Sequence, residues 1–157
     1  MNCIDIEMFT KILVPFDGSD HSQKALETAI DLAKQFDGEI TLIHVYSVSI
    51  VMSLSMYYNE SNVVASQEVS RLAETIREAS AEILAKGEKM VKAEGIPVET
   101  LLREGHVVQE IIKTVREGRF DLIVIGAKGM SKVKEMFLGS VSEKVVRNAP
   151  CTVMVVK

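Results

Sequence analysis

The residues that could do chemistry cluster between positions 126 and 142. Gly126, Gly129, Gly139 and Ser140 stand there with the spacing Gly126-x2-Gly129-x9-Gly139-Ser140, and Lys128, Val141 and Ser142 lie among them. Each part suits a polyphosphate. Gly126 closes the aliphatic run Asp121–Ile125 and lets the chain turn sharply. Gly129 lets backbone approach a ligand with no side chain between. Gly139-Ser140 stands where the last helix begins, and the free N–H groups and positive dipole end of a helix N-terminus favour an anion. Ser140 and Ser142 add hydroxyls, while Lys128, Lys132 and Lys134 add positive charge. A second constellation, Pro15-Phe16-Asp17-Gly18, follows an earlier aliphatic run. Phosphates would repel a carboxylate, so Asp17 suits a ribose, whose hydroxyls donate to it. An adenine would then lie toward His44-Val45, where backbone groups can read the base edge.

Each piece also has an ordinary structural use. Gly126 and Gly129 could form a plain strand-to-loop turn, Gly139-Ser140 a plain helix start, and Asp17 a helix-capping carboxylate. Their joint occurrence at strand ends favours the ligand. Lys128, Lys132 and Lys134 could be a solvated face, since Glu135 and Glu143 lie among them. His44 is read as a strand histidine facing the core or a neighbouring carbonyl rather than a catalytic base. Cys151 is read as an inert thiol in a buried strand. Competing motifs fail. The nearest P-loop candidate has Ser131 where its second glycine should stand, and no Gly-x-Gly-x-x-Gly follows the first strand. There is no Gly-x-Ser-x-Gly elbow. A response regulator's aspartate is missing from the third strand's end, which reads Leu102-Arg103-Glu104-Gly105.

The elements that must position these residues alternate along the chain. Five aliphatic runs read as strands: 11–16, 39–45, 98–102, 121–125 and 152–156. Near-continuous aliphatics are what a parallel sheet buried on both faces requires. Helical patterns fill the gaps. Ser19 or Asp20 caps a helix with Ala25, Leu26, Ala29, Ile30 and Ala33 on one face. A longer helix carries Val69, Leu72, Ala73, Ile76, Ala79, Ile83, Leu84, Met90 and Val91, and stops at Gly95 and Pro97. A third carries Val107, Val108, Ile111, Ile112 and Val115 and stops near Gly118. The last starts near Ser140 and carries Val141, Val145 and Val146. This βαβαβαβαβ order predicts right-handed crossovers and an open parallel sheet with helices on both faces, a Rossmann-like α/β fold. Ligands of such folds sit beyond the carboxyl ends of the strands, where strand order reverses. The stretch 46–67 shows no clean period. It reads as a loop folded onto its own domain, or as a lid or partner-binding loop.

Composition narrows the function classes. The 157 residues predict one domain spanning 1–157, with no linker or repeat. Eighteen Lys and Arg against 22 Asp and Glu leave a net charge of −4, which disfavours nucleic acid or an anionic membrane as partner. Cys3 and Cys151 have no CxxC or metal-ligand partner, so no metal site is expected. Asp5 and Glu7 precede any positive residue, which is unlike a secretory signal, and no apolar run approaches the roughly 20 residues of a membrane span. A cytoplasmic protein is expected.

The segment Gly126-x2-Gly129-x9-Gly139-Ser140, with Lys11-Ile12-Leu13-Val14-Pro15-Phe16-Asp17-Gly18-Ser19 before it and Pro150-Cys151-Thr152-Val153-Met154-Val155-Val156 after it, resembles the universal stress protein family. The resemblance covers nearly the whole chain. It implies an adenine-nucleotide-binding fold with strand order 3-2-1-4-5. In ATP-binding members the aspartate after the first strand, here Asp17, contacts ribose or base. The residue ending the second strand, here Val45, touches the adenine. The glycines and hydroxyls, here Gly126, Gly129, Gly139, Ser140, Val141 and Ser142, hold ribose and phosphates. Pro15, Phe16 and Lys128 complete the implied site.

The resemblance therefore implies an ATP ligand, or ADP or AMP, with magnesium accompanying ATP. It also implies a homodimer through the edge strand 152–156, acting as a stress or signalling switch that hydrolyses ATP slowly at most. An alternative is a nucleotide-free dimeric adaptor working through the Met- and Tyr-rich stretch 46–67. An adenylyl-transfer enzyme would need a substrate domain, for which 157 residues leave no room. Two features depart from the family pattern. Lys128 stands where similar proteins often carry Arg or His, so a point charge replaces a planar donor. The stretch 46–67 has no counterpart in the pattern.

Overall fold

A computed structural model describes residues 9–49, 51, 53, 63–130 and 138–157. Among them the chain runs β1 (Lys11–Pro15), α1 (Asp20–Phe36), β2 (Glu39–Tyr46), α2 (Val63–Ala93), β3 (Val98–Glu104), α3 (Val107–Gly118), β4 (Leu122–Gly126), α4 (Ser140–Asn148) and β5 (Thr152–Val156). The strands form one parallel sheet in the order β3-β2-β1-β4-β5. β1 thus sits centrally, between β2 and β4.

Alternation along the strands divides the core. Ile12, Val14, Leu42 and Val124 face α1 and α2, where Leu26, Ile30, Leu84 and Val91 cover them. Leu13, Ile43, Ile123 and Ile125 face α3 and α4, where Ile111, Val115 and Val145 cover them. The predicted face of α1 is the buried one, with Ser22 added to it. Ser19 is its N-cap and accepts from the Ser22 N–H at 3.3 Å.

Strand ends differ from the sequence reading by one or two residues. β2 and β3 run on together to Tyr46↔Glu104, because each supplies the other's ladder. Gly126 stays in β4 by pairing with Val156. Asp121 stays out, its Oδ2 accepting from the Thr10 and Lys11 N–H groups at 3.1 and 3.0 Å. The two edge strands are also less buried than a both-faces reading requires.

The long helix departs further. α2 begins at Val63, inside the stretch read as a loop, and its stripe is not buried throughout. Ser80, Leu84, Gly87 and Val91 are buried, whereas Ala79 is exposed and Leu72 is 47% exposed. Length explains this. Thirty-one residues reach roughly 46 Å as a helix, whereas the eight residues of β2 reach roughly 26 Å as a strand. Only the C-terminal half of α2 can lie over the sheet. Val48 and Val51, also from the 46–67 stretch, are buried. Met52, Met56, Tyr57 and Tyr58 lie outside the described residues, as do Lys132 and Lys134. No helix among the described residues is long and apolar enough to cross a membrane.

Candidate functional site

β1 pairs with β2 on one side and β4 on the other, so the chain leaves the sheet in opposite directions at the β1 and β4 carboxyl ends. That divergence opens a cavity of about 290 Å³. All eleven sequence-predicted site residues line it: Pro15, Phe16 and Asp17 after β1, Val45 near the end of β2, Gly126, Lys128 and Gly129 after β4, and Gly139, Ser140, Val141 and Ser142 at the start of α4.

The lining also includes Ser22, Ile43, Val107, Ile111, Ile125 and Met130, which sequence reasoning had not assigned to a site. Val107 and Ile111 lie four residues apart on the apolar stripe of α3. Their spacing signals burial, and nothing in it separates a core contact from a cavity wall. A second cavity of about 590 Å³ lies beside the first and shares Val107, Ser140 and Val141 with it.

Several predicted residues sit where expected for a different reason. Gly126 does not need a glycine conformation, since its φ is not positive. A Cβ there would lie 2.6 Å from the His21 carbonyl carbon and 2.8 Å from the Ser22 nitrogen. Glycine at 126 therefore lets the first turn of α1 press on the end of β4, which corrects the sharp-turn reading. At Gly129 a Cβ would lie 2.7 Å from Asp17 Oδ2. The missing side chain there admits the Asp17 carboxylate.

Hydrogen bonds fix the site's walls. Asp17 Oδ1 accepts from the Ser19 N–H at 3.0 Å and the Ser19 hydroxyl at 2.5 Å. Asp17 therefore does not cap α1, as the capping reading expected, but braces the Ser19 cap through Oδ1, while Oδ2 has no hydrogen-bond partner among the described residues. The Ser142 hydroxyl lies 2.8 Å from the Ala127 carbonyl oxygen and 2.9 Å from that of Gly139. The Gly139 N–H donates to the same Ala127 carbonyl at 2.8 Å. Ser142 is 2% exposed, so its hydroxyl clamps the two ends of the 127–139 segment rather than standing free. Ser140 is exposed, and Gly139 brings no side chain to cap α4, which leaves the helix N-terminus open on the cavity.

His44 lies as expected, with Nδ1 2.8 Å from the Phe16 carbonyl oxygen. A carbonyl only accepts, so Nδ1 carries the proton. Cys151 precedes β5 instead of lying in it and is half-buried. Burial, reinforced by the Asp121 carboxylate, pushes its thiol pKa up.

The groups brought together suit an adenine nucleotide. Apolar Val45, Val107 and Ile111 can hold a flat base, Asp17 Oδ2 can accept from ribose hydroxyls, and an uncapped helix end with Lys128 can hold phosphates. Among the described residues no group of three or more His, Cys, Asp or Glu could hold a metal.

The fold defines a Rossmann-like α/β protein, with a cavity at the β1/β4 switch point. A sequence model of the universal stress protein family matches residues 8–157. The chain belongs to the universal stress protein family. It is 36% identical over 150 residues to universal stress protein MJ0531 of Methanocaldococcus jannaschii, covering 96% of this chain and 83% of that one. It is 34% identical over 152 residues to universal stress protein YxiE of Bacillus subtilis, covering 96% and 100%. Among solved structures it is similar to universal stress protein UspA from Lactobacillus plantarum, with a TM-score of 0.78, 24% identity and coverage of 96% and 99%. Two more distant neighbours share the fold: a universal stress protein in complex with cAMP (TM-score 0.63, 23% identity, coverage 92% and 94%) and one from Archaeoglobus fulgidus in complex with dAMP (TM-score 0.62, 18% identity, coverage 94% and 98%).

Proposed function

We propose that this universal stress protein binds an adenine nucleotide, with ATP as the ligand, in the cavity at the β1/β4 switch point. One observation carries the reading: three separate strand ends bring Asp17, Val45 and the residues Gly126, Gly129, Gly139 and Ser140 to one cavity. Two distant neighbours, in complex with cAMP and with dAMP, support an adenine ligand for the fold. Val45 takes the base, Asp17 Oδ2 the ribose, and Lys128, Gly129, Ser140 and the N–H groups opening α4 take the phosphates. A Cβ at Gly139 would lie 3.3 Å from the Ala127 carbonyl oxygen and 3.4 Å from Lys128 Cα, so the fit is tight and a β-branched side chain would crowd it. In this reading the protein is a cytoplasmic homodimer that reports nucleotide state. β5, one of the two edge strands, is taken as the pairing edge, since it has β4 on one side and no described strand on the other.

The test is direct. Protein that is purified and then denatured should release an adenine compound on chromatography. Calorimetric titration with ATP should give a saturable isotherm that Gly139→Val abolishes while the far-ultraviolet circular dichroism is retained. A folded wild-type protein that gives no heat with ATP overturns the nucleotide reading and favours the nucleotide-free adaptor. A monomer at micromolar concentration in sedimentation overturns the dimer.

A further inference from the structure

We propose that His44 is a positioning residue that sets base selectivity, by holding the Phe16 carbonyl and so leaving both backbone groups of Val45 to the ligand. The inference rests on the nucleotide reading and adds a determinant to it.

Residues of a strand turn their N–H and C=O groups alternately to one neighbouring strand and the other. In β2 the Ile43 carbonyl accepts from the Phe16 N–H at 2.9 Å, toward β1. The Tyr46 carbonyl accepts from the Gly105 N–H at 2.9 Å, toward β3. Alternation then turns the N–H and C=O of Val45 to the β1 side. There β1 has ended at Pro15, whose register partner is Ile43. One more step of the ladder would hand the Val45 N–H to the Phe16 carbonyl. The His44 imidazole holds that carbonyl instead, at 2.8 Å. No backbone hydrogen bond from Val45 toward β1 is present among the described residues. Val45 lines the cavity, and Phe16 beside it is buried.

A donor and an acceptor on one residue fit the edge of adenine, whose N6 amine donates and whose N1 accepts. Hypoxanthine presents the inverse pair, with O6 accepting and N1–H donating. Both contacts would be mismatched, each at roughly a tenfold loss when a desolvated group is left unpaired. The chain should therefore favour ATP over ITP by about a hundredfold. His44 lines the cavity, but in this scheme its imidazole acts through the Phe16 carbonyl that Nδ1 holds and not through a contact with the base. It keeps the ladder from closing over the groups that make that contact.

The experiment compares ATP and ITP affinities by calorimetry for the wild type, His44→Phe and His44→Asn. Amide exchange at Val45 is followed by nuclear magnetic resonance in the free wild-type protein. The wild type should prefer ATP, and its Val45 amide should exchange much faster than that of Ile43. His44→Phe frees the Phe16 carbonyl, so Val45 should become protected and the ATP/ITP ratio should fall to about tenfold or less. His44→Asn, whose amide can reach the same carbonyl, should restore the ratio. A wild-type Val45 amide as protected as that of Ile43 overturns the inference, and this result does not depend on any variant folding. So does a His44→Phe protein that keeps the wild-type ratio. Absence of ATP binding by the wild type overturns the nucleotide reading itself. ATP binding without preference over ITP overturns only the role given to His44.

Discussion

Gly126 and Gly129 are three residues apart, yet adding one methyl group should have opposite consequences at the two. At Gly126 the new Cβ would meet three backbone atoms: the His21 carbonyl carbon at 2.6 Å, its oxygen at 2.7 Å and the Ser22 nitrogen at 2.8 Å. Ordinary carbon contacts begin near 3.5 Å, so the first turn of α1 must retreat by about 0.9 Å. That turn carries the Ser19 cap and Ser22 at 4% exposure, so it cannot move alone. Overpacking typically costs about 1–3 kcal/mol, and backbone on backbone belongs at the upper end. At about 2–4 °C per kcal/mol for a chain of this length, Gly126→Ala should lower the melting temperature by about 6–12 °C. At Gly129 the Cβ would meet, among the described residues, only Asp17, with Oδ2 at 2.7 Å and Cγ at 3.9 Å. Swinging that carboxylate away loosens its two bonds from Ser19, so the stability loss should be about 1 kcal/mol, still well below that at Gly126. The displaced oxygen is the one assigned to the ribose, so ATP affinity should fall about tenfold, as expected for one charge-assisted hydrogen bond. Thermal melts followed by circular dichroism, paired with ATP calorimetry, give both readouts. A Gly126→Ala protein melting within about 2 °C of the wild type would refute the packing account. A Gly129→Ala protein that is equally destabilised would refute the division between the two glycines.

Ser19→Ala removes an N-cap and one of the two donors to Asp17 Oδ1, so urea denaturation should show a loss of about 1 kcal/mol and ATP binding should weaken with it. Asp121→Ala strips the acceptor from the Thr10 and Lys11 N–H groups and the Thr10 hydroxyl, and should cost about 2–3 kcal/mol by the same assay. The Cys151 thiol has a raised pKa in the fold, so the protonated form is the one favoured there. Its contribution is complete below the pKa of the unfolded thiol and is lost as pH rises through the higher folded value. Wild-type stability should therefore fall more steeply than that of Cys151→Ala on the alkaline side, and equal slopes would refute the effect.

Most of the fold was legible because aliphatic period and helix punctuation are local signals. Ala25, Leu26, Ala29, Ile30 and Ala33 announce the buried face of α1, and Ser19 announces its cap. The α2 stripe misled because periodicity records amphipathicity and not what lies opposite. Leu72 and Leu84 are indistinguishable by spacing, yet only Leu84 has the sheet beneath it. In the site, glycine and serine spacing picked out the positions but not all of their uses. The close approach of α1 to Gly126 joins residues more than a hundred apart in sequence, and no local pattern carries it. The clamp from Ser142 to Ala127 is hidden likewise, because a serine in a first helical turn reads as a free hydroxyl.

These hidden contacts share a feature that bears on how the site would work. Ser142 fixes the Ala127 and Gly139 carbonyls, Ser19 fixes Asp17 Oδ1, and His44 fixes the Phe16 carbonyl. Each is an internal hydrogen bond that orients a group at the cavity, which Asp17, Phe16, His44 and Ser142 line. The groups left without a hydrogen-bond partner among the described residues include Asp17 Oδ2, the β1-facing Val45 backbone and the N–H groups opening α4. A ligand entering such a site has little ordering left to impose on Asp17, Phe16, Ala127 and Gly139, because these are already held. Removing a support such as Ser19 should therefore weaken the ligand by loosening a wall. Removing a contact such as Asp17 Oδ2 should weaken it with the wall intact. Amide exchange in the free protein separates the two, since only the first kind of change raises it.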